Sequence, residues 1–183
     1  MNQEIRIIGG KLRGKKISFP VSEGLRPTPA RIRETLFNWL MQPIMGARCL
    51  DAFAGSGALG IEAFSRGAQQ VIFVEQSKTV YKHLSQVLQK ISTLQLEVIH
   101  QDSMAYLQQA RLPFDIVFLD PPFDKNLHHQ LLDLLIEKQL LHQQSLVYIE
   151  SPALLALKPE QWEVQRSKKA GNVYYSLLRP LIK

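Results

Sequence analysis

The chain has 183 residues, of which 45% are hydrophobic and 21% charged, so it is long enough for one globular domain and too apolar for a disordered chain. Its single cysteine, Cys49, excludes an internal disulfide and a metal site built from several cysteines. No stretch is apolar over the ~18 residues of a membrane helix, and the charged N-terminus is unlike a signal peptide. We therefore expect a soluble, cytoplasmic protein.

The net charge of +6 comes entirely from the first 33 residues, which hold eight basic and two acidic side chains. Isoleucines alternate with these charges, and Gly9-Gly10 and Gly14 interrupt them, a pattern that predicts a basic β-hairpin over residues 1–24. A solvated basic tail would not need the apolar residues. Ordered cations on one surface suit a phosphate backbone, so nucleic acid is the expected partner.

Downstream of the hairpin, the chain reads as alternating strands and helices. Thr28 and Pro29 predict the N-cap and first position of a helix whose residues Ile32, Leu36 and Leu40 face the core. Strands are predicted over residues 49–53, 71–75, 96–100, 116–120 and 146–150, helices over 59–65, 80–91, 103–109 and 127–138, and a final hairpin over 162–167 and 173–178. This order predicts an α/β fold with a doubly wound, mostly parallel sheet and an antiparallel C-terminal edge.

A glycine-rich loop follows the first of these strands. Glycines at positions 55, 57 and 60 fit the pattern G-x-G-x-x-G, and Glu75 ends the next strand. Glycine lets the backbone turn tightly against a ligand, and an acid at the second strand end can accept hydrogen bonds from ribose hydroxyls. Asp51, just before the loop, would repel a pyrophosphate. It suits adenosine with a cationic amino-acid tail, which is S-adenosylmethionine.

Asp102, at the end of the third predicted strand, has two compatible interpretations. Its carboxylate is placed to reach the amino group of an adenine, and it is equally suited to cap the helix that starts at Ser103.

The most informative stretch ends the fourth strand, where Asp120 is followed by Pro121, Pro122 and Phe123. Two prolines make the turn rigid and remove two N–H donors, which leaves carbonyl acceptors beside one carboxylate. Such a site suits a planar base with an exocyclic amino group, because Asp120 and the Pro121 carbonyl can each accept one N–H. Phe123 can stack on the base. A plain turn with a core phenylalanine is the alternative.

At these residues the sequence resembles the class I S-adenosylmethionine-dependent methyltransferases, and the D-P-P-F tip is similar to their amino-methylating members. The N-terminal motifs narrow the resemblance to the bacterial 16S ribosomal RNA guanine-N2 methyltransferases (RsmD type). The matching segments are residues 6–10 (RIIGG), 13–14 (RG), 25–28 (LRPT), 33–34 (RE), 36–38 (LFN), 51–60 (DAFAGSGALG), 62 (E) and 65–68 (SRGA). Residues 154–169 contain no motif that we can match.

The resemblance implies a seven-stranded, Rossmann-like sheet, with the methyltransferase domain over residues 25–183. It implies a catalytic tip at Asp120, Pro121, Pro122 and Phe123. The implied residues for binding S-adenosyl-L-methionine are Asp51, Phe53, Ala54, Gly55, Ser56, Gly57, Glu75, Gln76, Asp102, Ser103 and Thr28, the last as part of a lid. The implied contacts to 16S rRNA, within the assembling or assembled 30S subunit, are Arg6, Lys11, Arg13, Lys15, Arg26, Arg31 and Arg33.

Several other functions stay open at this point. The D-P-P-F tip is shared with DNA adenine methyltransferases, although 183 residues leave little room for a target-reading module. The glycines and Glu75 also fit a nicotinamide-dependent oxidoreductase, against which Asp51 argues. A non-catalytic RNA-binding module would not need the intact tip. The five histidines form no cluster at ligand spacing, so we expect no metal.

Overall fold

The computed structural model describes residues 2–21, 27–92, 94–123 and 126–182. The strands are β1 Asn2–Arg6, β2 Lys16–Pro20, β3 Arg48–Asp51, β4 Gln70–Glu75, β5 Leu96–His100, β6 Phe114–Leu119, β7 Leu141–Ser151, β8 Trp162–Ala170 and β9 Val173–Pro180. The helices are α1 Ala30–Trp39, α2 Ala58–Ser65, α3 Lys78–Gln89, α4 Ser103–Gln109 and α5 His128–Glu137. A short 3-10 turn, Gly10–Leu12, lies between β1 and β2.

Seven strands form one sheet in the order β5-β4-β3-β6-β7-β9-β8, and β1 pairs with β2 in a separate antiparallel hairpin. Within the large sheet β9 runs antiparallel to both of its neighbours, and the other pairs are parallel. The predicted doubly wound sheet with an antiparallel C-terminal edge is therefore confirmed. The strand order reverses between β3 and β6, which is where sheets of this type form a ligand crevice beyond the carboxyl ends of their strands.

Apolar side chains fill both faces of the sheet. Alternate residues of a strand point to opposite faces, so Phe118 joins one cluster while Val117 and Leu119 join the other. The first cluster receives α1 through Ile32, Leu36 and Leu40, which are all buried as predicted. Among the helices of the described residues, none is long and apolar enough to cross a membrane.

The basic hairpin is packed onto this core. Ile5, Ile7, Ile17 and Phe19 are buried in the same cluster as α1 and α2. The outward-facing positions between them carry the charges, which is the alternation expected of a strand with one solvated face. The hairpin therefore presents its cations from a fixed surface. A domain boundary at residue 24 stays a prediction.

A buried carboxylate joins the hairpin to α2. Glu62 is fully buried, and its two oxygens accept hydrogen bonds from the N–H groups of Ile8, at 2.9 Å, and Gly9, at 2.8 Å. The same carboxylate pairs with the guanidinium groups of Arg33, at 3.2 Å, and Arg66, at 2.8 Å. Burial lowers the pKa of Arg33, and the charge of Glu62 opposes that shift.

We expect Glu62→Ala to lower the free energy of unfolding by about 3–5 kcal/mol, because it leaves the buried Arg33 charge and two backbone N–H groups without their acceptor. Urea denaturation measures this loss. Glu34→Ala removes an exposed glutamate from the same region and serves as the control. A loss for Glu62→Ala of less than about 1 kcal/mol would contradict the role given to this carboxylate.

Candidate active site

The D-P-P-F tip lies at the switch point of the sheet. β6 ends at Leu119, beside β3, and Asp120 follows it directly. Asp120 and Phe123 are half-buried, Pro121 is buried and Pro122 is exposed. The ring of Phe123 lies 6.2 Å from the ring of His128 at the start of α5. The tip therefore offers a carboxylate, a proline carbonyl and part of an aromatic face at one edge of the sheet.

Thr28 contacts this tip, which corrects its predicted role as a helix cap. Pro29 occupies the capping position of α1, and no side chain caps that helix end. The Thr28 hydroxyl Oγ1 is instead 3.0 Å from Glu150 Oε1 and 3.5 Å from Asp120 Oδ2. A hydroxyl has one proton to donate, so it can serve only one of these carboxylates at a time.

Glu150 and Tyr148 complete a buried polar cluster with Thr28 and Asp120. The Tyr148 hydroxyl donates to Glu150 Oε1 at 2.8 Å, and both side chains are almost fully buried. The imidazole Nε2 of His128 is 3.1 Å from the Glu150 carbonyl oxygen. The sequence does not predict a role for Tyr148, Glu150 or His128, because the first two lie on an apolar strand and the third at the start of a helix. The one signal of this cluster in the sequence is that Glu150 is a charged residue at the end of an otherwise apolar run.

Burial raises the pKa values of three carboxyl groups near the tip. Burial raises the pKa of Asp120 well above its ordinary value, and the charges of Glu150 and Asp51 raise it further, while the hydrogen bond from Thr28 lowers it. Burial also raises the pKa of Glu150, and it raises the pKa of Asp51 to about 7. Like charges in one buried site do not ionise independently. The site therefore holds protons at a pH where exposed carboxyls have lost theirs.

The glycine loop is held by the two acids that the sequence singled out. Asp51 Oδ2 accepts the Gly60 N–H at 2.9 Å, and Glu75 Oε2 accepts the Gly55 N–H at 3.0 Å. Glu75 Oε1 also accepts the Ser77 N–H, at 2.6 Å. Gly57, with a φ of +75°, is left-handed at the start of α2, where another residue would be strained. Each carboxylate retains further acceptor sites for a ligand.

Asp102 caps α4 by accepting the Ala105 N–H at 3.0 Å. It is exposed, so capping leaves its second oxygen accessible. Ser103 is buried, and its hydroxyl donates to the carbonyl of Ala52, which joins the start of α4 to the end of β3. The other predicted cofactor residues lie around the same strand ends, with Phe53 and Gly55 half-buried, Ala54, Ser56 and Gly57 buried, and Gln76 exposed.

The predicted RNA contacts differ in how exposed the structure leaves them. Five of them are exposed, namely Arg6, Lys11, Arg13, Lys15 and Arg31. Arg33 is only 3% exposed, so its predicted contact with RNA is wrong. Its guanidinium faces inward, where it donates hydrogen bonds to Glu62 and to the carbonyls of Thr28 and Arg6. Arg26 lies outside the described residues.

No group of three or more possible metal-ligating side chains occurs within the part of the chain that the structure describes.

Known proteins are similar to this chain over nearly its whole length. The family described as "Conserved hypothetical protein 95" matches residues 5–179. Ribosomal RNA small subunit methyltransferase D of Haemophilus influenzae is 49% identical over 179 residues, which cover 95% of this chain and 93% of that protein. The protein of the same name from Escherichia coli K12 is 44% identical over 176 residues, which cover 95% and 89%. The chain belongs to the ribosomal RNA small subunit methyltransferase D family.

A solved structure supports the same assignment to the ribosomal RNA small subunit methyltransferase D family. The yhhF protein of Escherichia coli has a TM-score of 0.90 and 41% identity, covering 99% of this chain and 100% of that one. The resemblance drawn from the N-terminal motifs and the D-P-P-F tip is thereby confirmed.

We expect Asp120→Asn to stabilise the fold more at pH 8 than at pH 5. An unfolded aspartate titrates near pH 3.9, whereas the folded chain holds the pKa of Asp120 well above that. The native state then binds a proton that the unfolded state has released, so this carboxyl costs stability as pH rises through its folded pKa. A neutral amide avoids that cost.

Urea denaturation of the wild type and the variant at both pH values measures this effect. Asp133→Asn alters an exposed aspartate paired with Lys158 and provides the control. Equal effects of Asp120→Asn at pH 5 and pH 8 would contradict the raised pKa.

Proposed function

We propose that this chain transfers a methyl group from S-adenosyl-L-methionine to the exocyclic N2 of a guanine in 16S ribosomal RNA. The observation that carries the proposal is the Asp120-Pro121 acceptor pair at the end of β6, next to the end of β3 where Asp51 and the glycine loop lie. Family membership supports it, since the Haemophilus influenzae and Escherichia coli relatives are named as methyltransferases of small-subunit ribosomal RNA.

The residues around the glycine loop fit S-adenosylmethionine. A Cβ added at Gly57 would lie 2.7 Å from Leu84 Cδ1, so the loop keeps a bare backbone there. Asp51 would accept the ammonium group of the ligand, Glu75 its ribose hydroxyls and Asp102 its adenine amino group. The remaining proposed contacts are Phe53, Ala54, Gly55, Ser56, Gln76, Ser103 and Thr28. When bound, S-adenosylmethionine supplies a methyl group whose bond to a positively charged sulfur breaks with its electron pair left on sulfur.

The strand tip would orient the amino nitrogen of the target base. Asp120 and the carbonyl of Pro121 each accept one N–H, which turns the nitrogen lone pair away from the ring and toward the methyl donor. Phe123 stacks on the base face, an interaction worth about 1–3 kcal/mol per base. Most of the rate gain then comes from position and from pre-oriented acceptors, without a covalent intermediate on the protein.

Asp120 would also receive the proton that the methylated nitrogen loses. Burial and the Glu150 charge raise the pKa of Asp120. A carboxylate with a raised pKa binds a proton more tightly than an exposed one does, which suits it to this transfer. The Thr28 hydroxyl, which is within reach of both Asp120 and Glu150, would position the Asp120 carboxylate. The proton would pass from Asp120 to water once the product departs.

The exposed cations of the hairpin and α1 would bind the RNA backbone. Arg6, Lys11, Arg13 and Lys15 project from the hairpin, and Arg31 from the start of α1. A stacked guanine cannot reach Phe123, so the target base must be unpaired or flipped out of its helix. We infer that the substrate is presented by the 30S subunit during or after its assembly.

We expect the wild type to transfer labelled methyl to undermethylated small subunits or naked ribosomal RNA, and to form N2-methylguanosine. Asp120→Ala should lower the transfer rate at least about 100-fold, because the amino nitrogen loses its orienting acceptor. Binding of S-adenosylmethionine to this variant, measured by calorimetry, should survive. Asp133→Ala, at an exposed ion pair of α5, should transfer like the wild type.

Other products would identify a different enzyme. Label in adenine of duplex DNA would keep the fold and the cofactor but replace the substrate. Loss of cofactor binding in Asp120→Ala would show that this residue belongs to the cofactor site. No label in any nucleic acid, together with binding of a nicotinamide cofactor, would favour the oxidoreductase.

Removing charge from the hairpin should flatten the salt dependence of RNA binding. Each phosphate contact contributes about 0.7 to the slope of log affinity against log salt for a single strand. Arg13→Ala/Lys15→Ala should therefore reduce the slope by about 1.4, measured by fluorescence anisotropy with a ribosomal RNA fragment. Lys90→Ala, at the exposed end of α3, is the control. An unchanged slope would remove this part of the hairpin from the RNA surface.

A further inference from the structure

A cleft of about 600 Å³ lies between the hairpin and the start of α1. Its lining includes the apolar residues Ile5, Pro27 and Pro29 and the exposed arginines Arg6 and Arg13. The volume is within the range of small-ligand sites, which is about 300–1,000 Å³. A cleft lined by both apolar residues and exposed arginines is suited to one ligand class, a nucleoside that carries a phosphate.

The two arginines give the cleft a positive rim. Both are exposed, and neither takes part in an ion pair among the described residues. Glu4 also lines the cleft, but its carboxylate pairs with Lys16 at 3.0 Å. Guanidinium groups bind phosphate through paired N–H donors, so this rim is complementary to an RNA backbone.

The cleft adjoins the D-P-P-F tip through Thr28. This residue lines the cleft, and its hydroxyl lies 3.5 Å from Asp120 Oδ2. Arg33 joins the hairpin side of the cleft to the side that precedes α1, since its Nε donates to the Thr28 carbonyl at 3.2 Å and its Nη2 donates to the Arg6 carbonyl at 3.1 Å. A ligand in the cleft would therefore lie beside a base held at Asp120.

We propose that this cleft binds the nucleotide adjacent to the methylated guanine in a single RNA strand. Its phosphate contacts Arg6 and Arg13, and its sugar and base lie against Pro27 and Pro29. This inference rests on the proposed function and adds a second point of attachment, which holds the strand while the target base is out of its stack. Pro27 and Pro29 have no N–H with which to read a base edge, so the subsite tolerates different neighbouring bases.

The test uses single-stranded RNA trinucleotides with a central guanine as inhibitors of labelled methyl transfer to undermethylated small subunits. One version has two phosphodiester linkages, and two others carry an uncharged methylphosphonate at the first or at the second linkage. In the wild type, one of the uncharged versions should inhibit about tenfold more weakly, since it loses a charge-assisted contact. The ratio of inhibition constants is measured within each variant, so changes in overall activity cancel.

The same ratio should fall below tenfold in Arg6→Ala and in Arg13→Ala, each of which keeps one arginine contact, and to about one in the double variant Arg6→Ala/Arg13→Ala, which keeps neither. It should stay near tenfold in Arg111→Ala, an exposed arginine between α4 and β6 that does not line the cleft. Arg33 donates to the backbone carbonyl of Arg6, so truncation of the Arg6 side chain keeps this contact.

Two results would overturn the subsite. One is a tenfold ratio that persists in both Arg6→Ala and Arg13→Ala, and the other is an absence of inhibition by any trinucleotide at millimolar concentration. Failure of the proposed function is distinguishable, because the wild type would then label no small-subunit RNA before any inhibitor is added. That result would overturn the subsite as well.

Discussion

The Glu62 carboxylate is the contact on which the arrangement of the hairpin, α1 and α2 depends. It is fully buried and accepts two backbone N–H groups of the hairpin turn, while two guanidinium groups neutralise its charge. A buried charge is tolerated only when it is paired and its hydrogen bonds are satisfied. A hairpin shifted by one residue would take the N–H groups of Ile8 and Gly9 away from this buried acceptor, although Arg33 and Arg66 would still neutralise its charge. The shift would also turn the alternating apolar residues Ile5 and Ile17 away from the core, so the polar contact and the apolar packing select the same position.

Arg33 extends this contact toward the D-P-P-F tip. Its three nitrogens donate to the Thr28 carbonyl, to Glu62 and to the Arg6 carbonyl, so one planar group sets the distances between three segments. A guanidinium is suited to this because its donors have fixed directions, whereas a lysine would supply one rotating ammonium group. Thr28 then carries the arrangement to Asp120 and Glu150 through its hydroxyl. The hairpin and the tip are thus connected by hydrogen bonds.

The features that the sequence predicted well are local in the chain. The glycine loop, the acid at each strand end and the D-P-P-F tip depend on neighbouring residues, and the strand order then brings Asp51 and Asp120 to adjacent strands. The features that it missed join distant residues: Thr28 meets Glu150 from 122 positions away, and Arg33 meets Glu62 from 29. No periodicity reports such a pairing. The sequence shows the charge of Arg33, which suggests a contact with RNA. It does not show that Arg33 is buried, because that depends on its pairing with Glu62, and Glu62 looks like an ordinary helix residue in the sequence.

The buried carboxyl groups near the tip reduce the stability of the fold in their charged forms. Burial raises the pKa values of Asp51, Asp120 and Glu150, so each is harder to ionise in the fold than in water. A core optimised for stability would replace such groups with apolar ones of similar size. The Thr28 and Tyr148 hydroxyls limit the cost, since each donates to a carboxylate that is short of water. A bound amino group would add N–H donors to the same acceptors, so the charged forms become easier to hold when substrate arrives. In the proposed mechanism, proton transfer to Asp120 and binding of the base therefore depend on the same electrostatic balance, and residues that tighten the Thr28 contact would act on both.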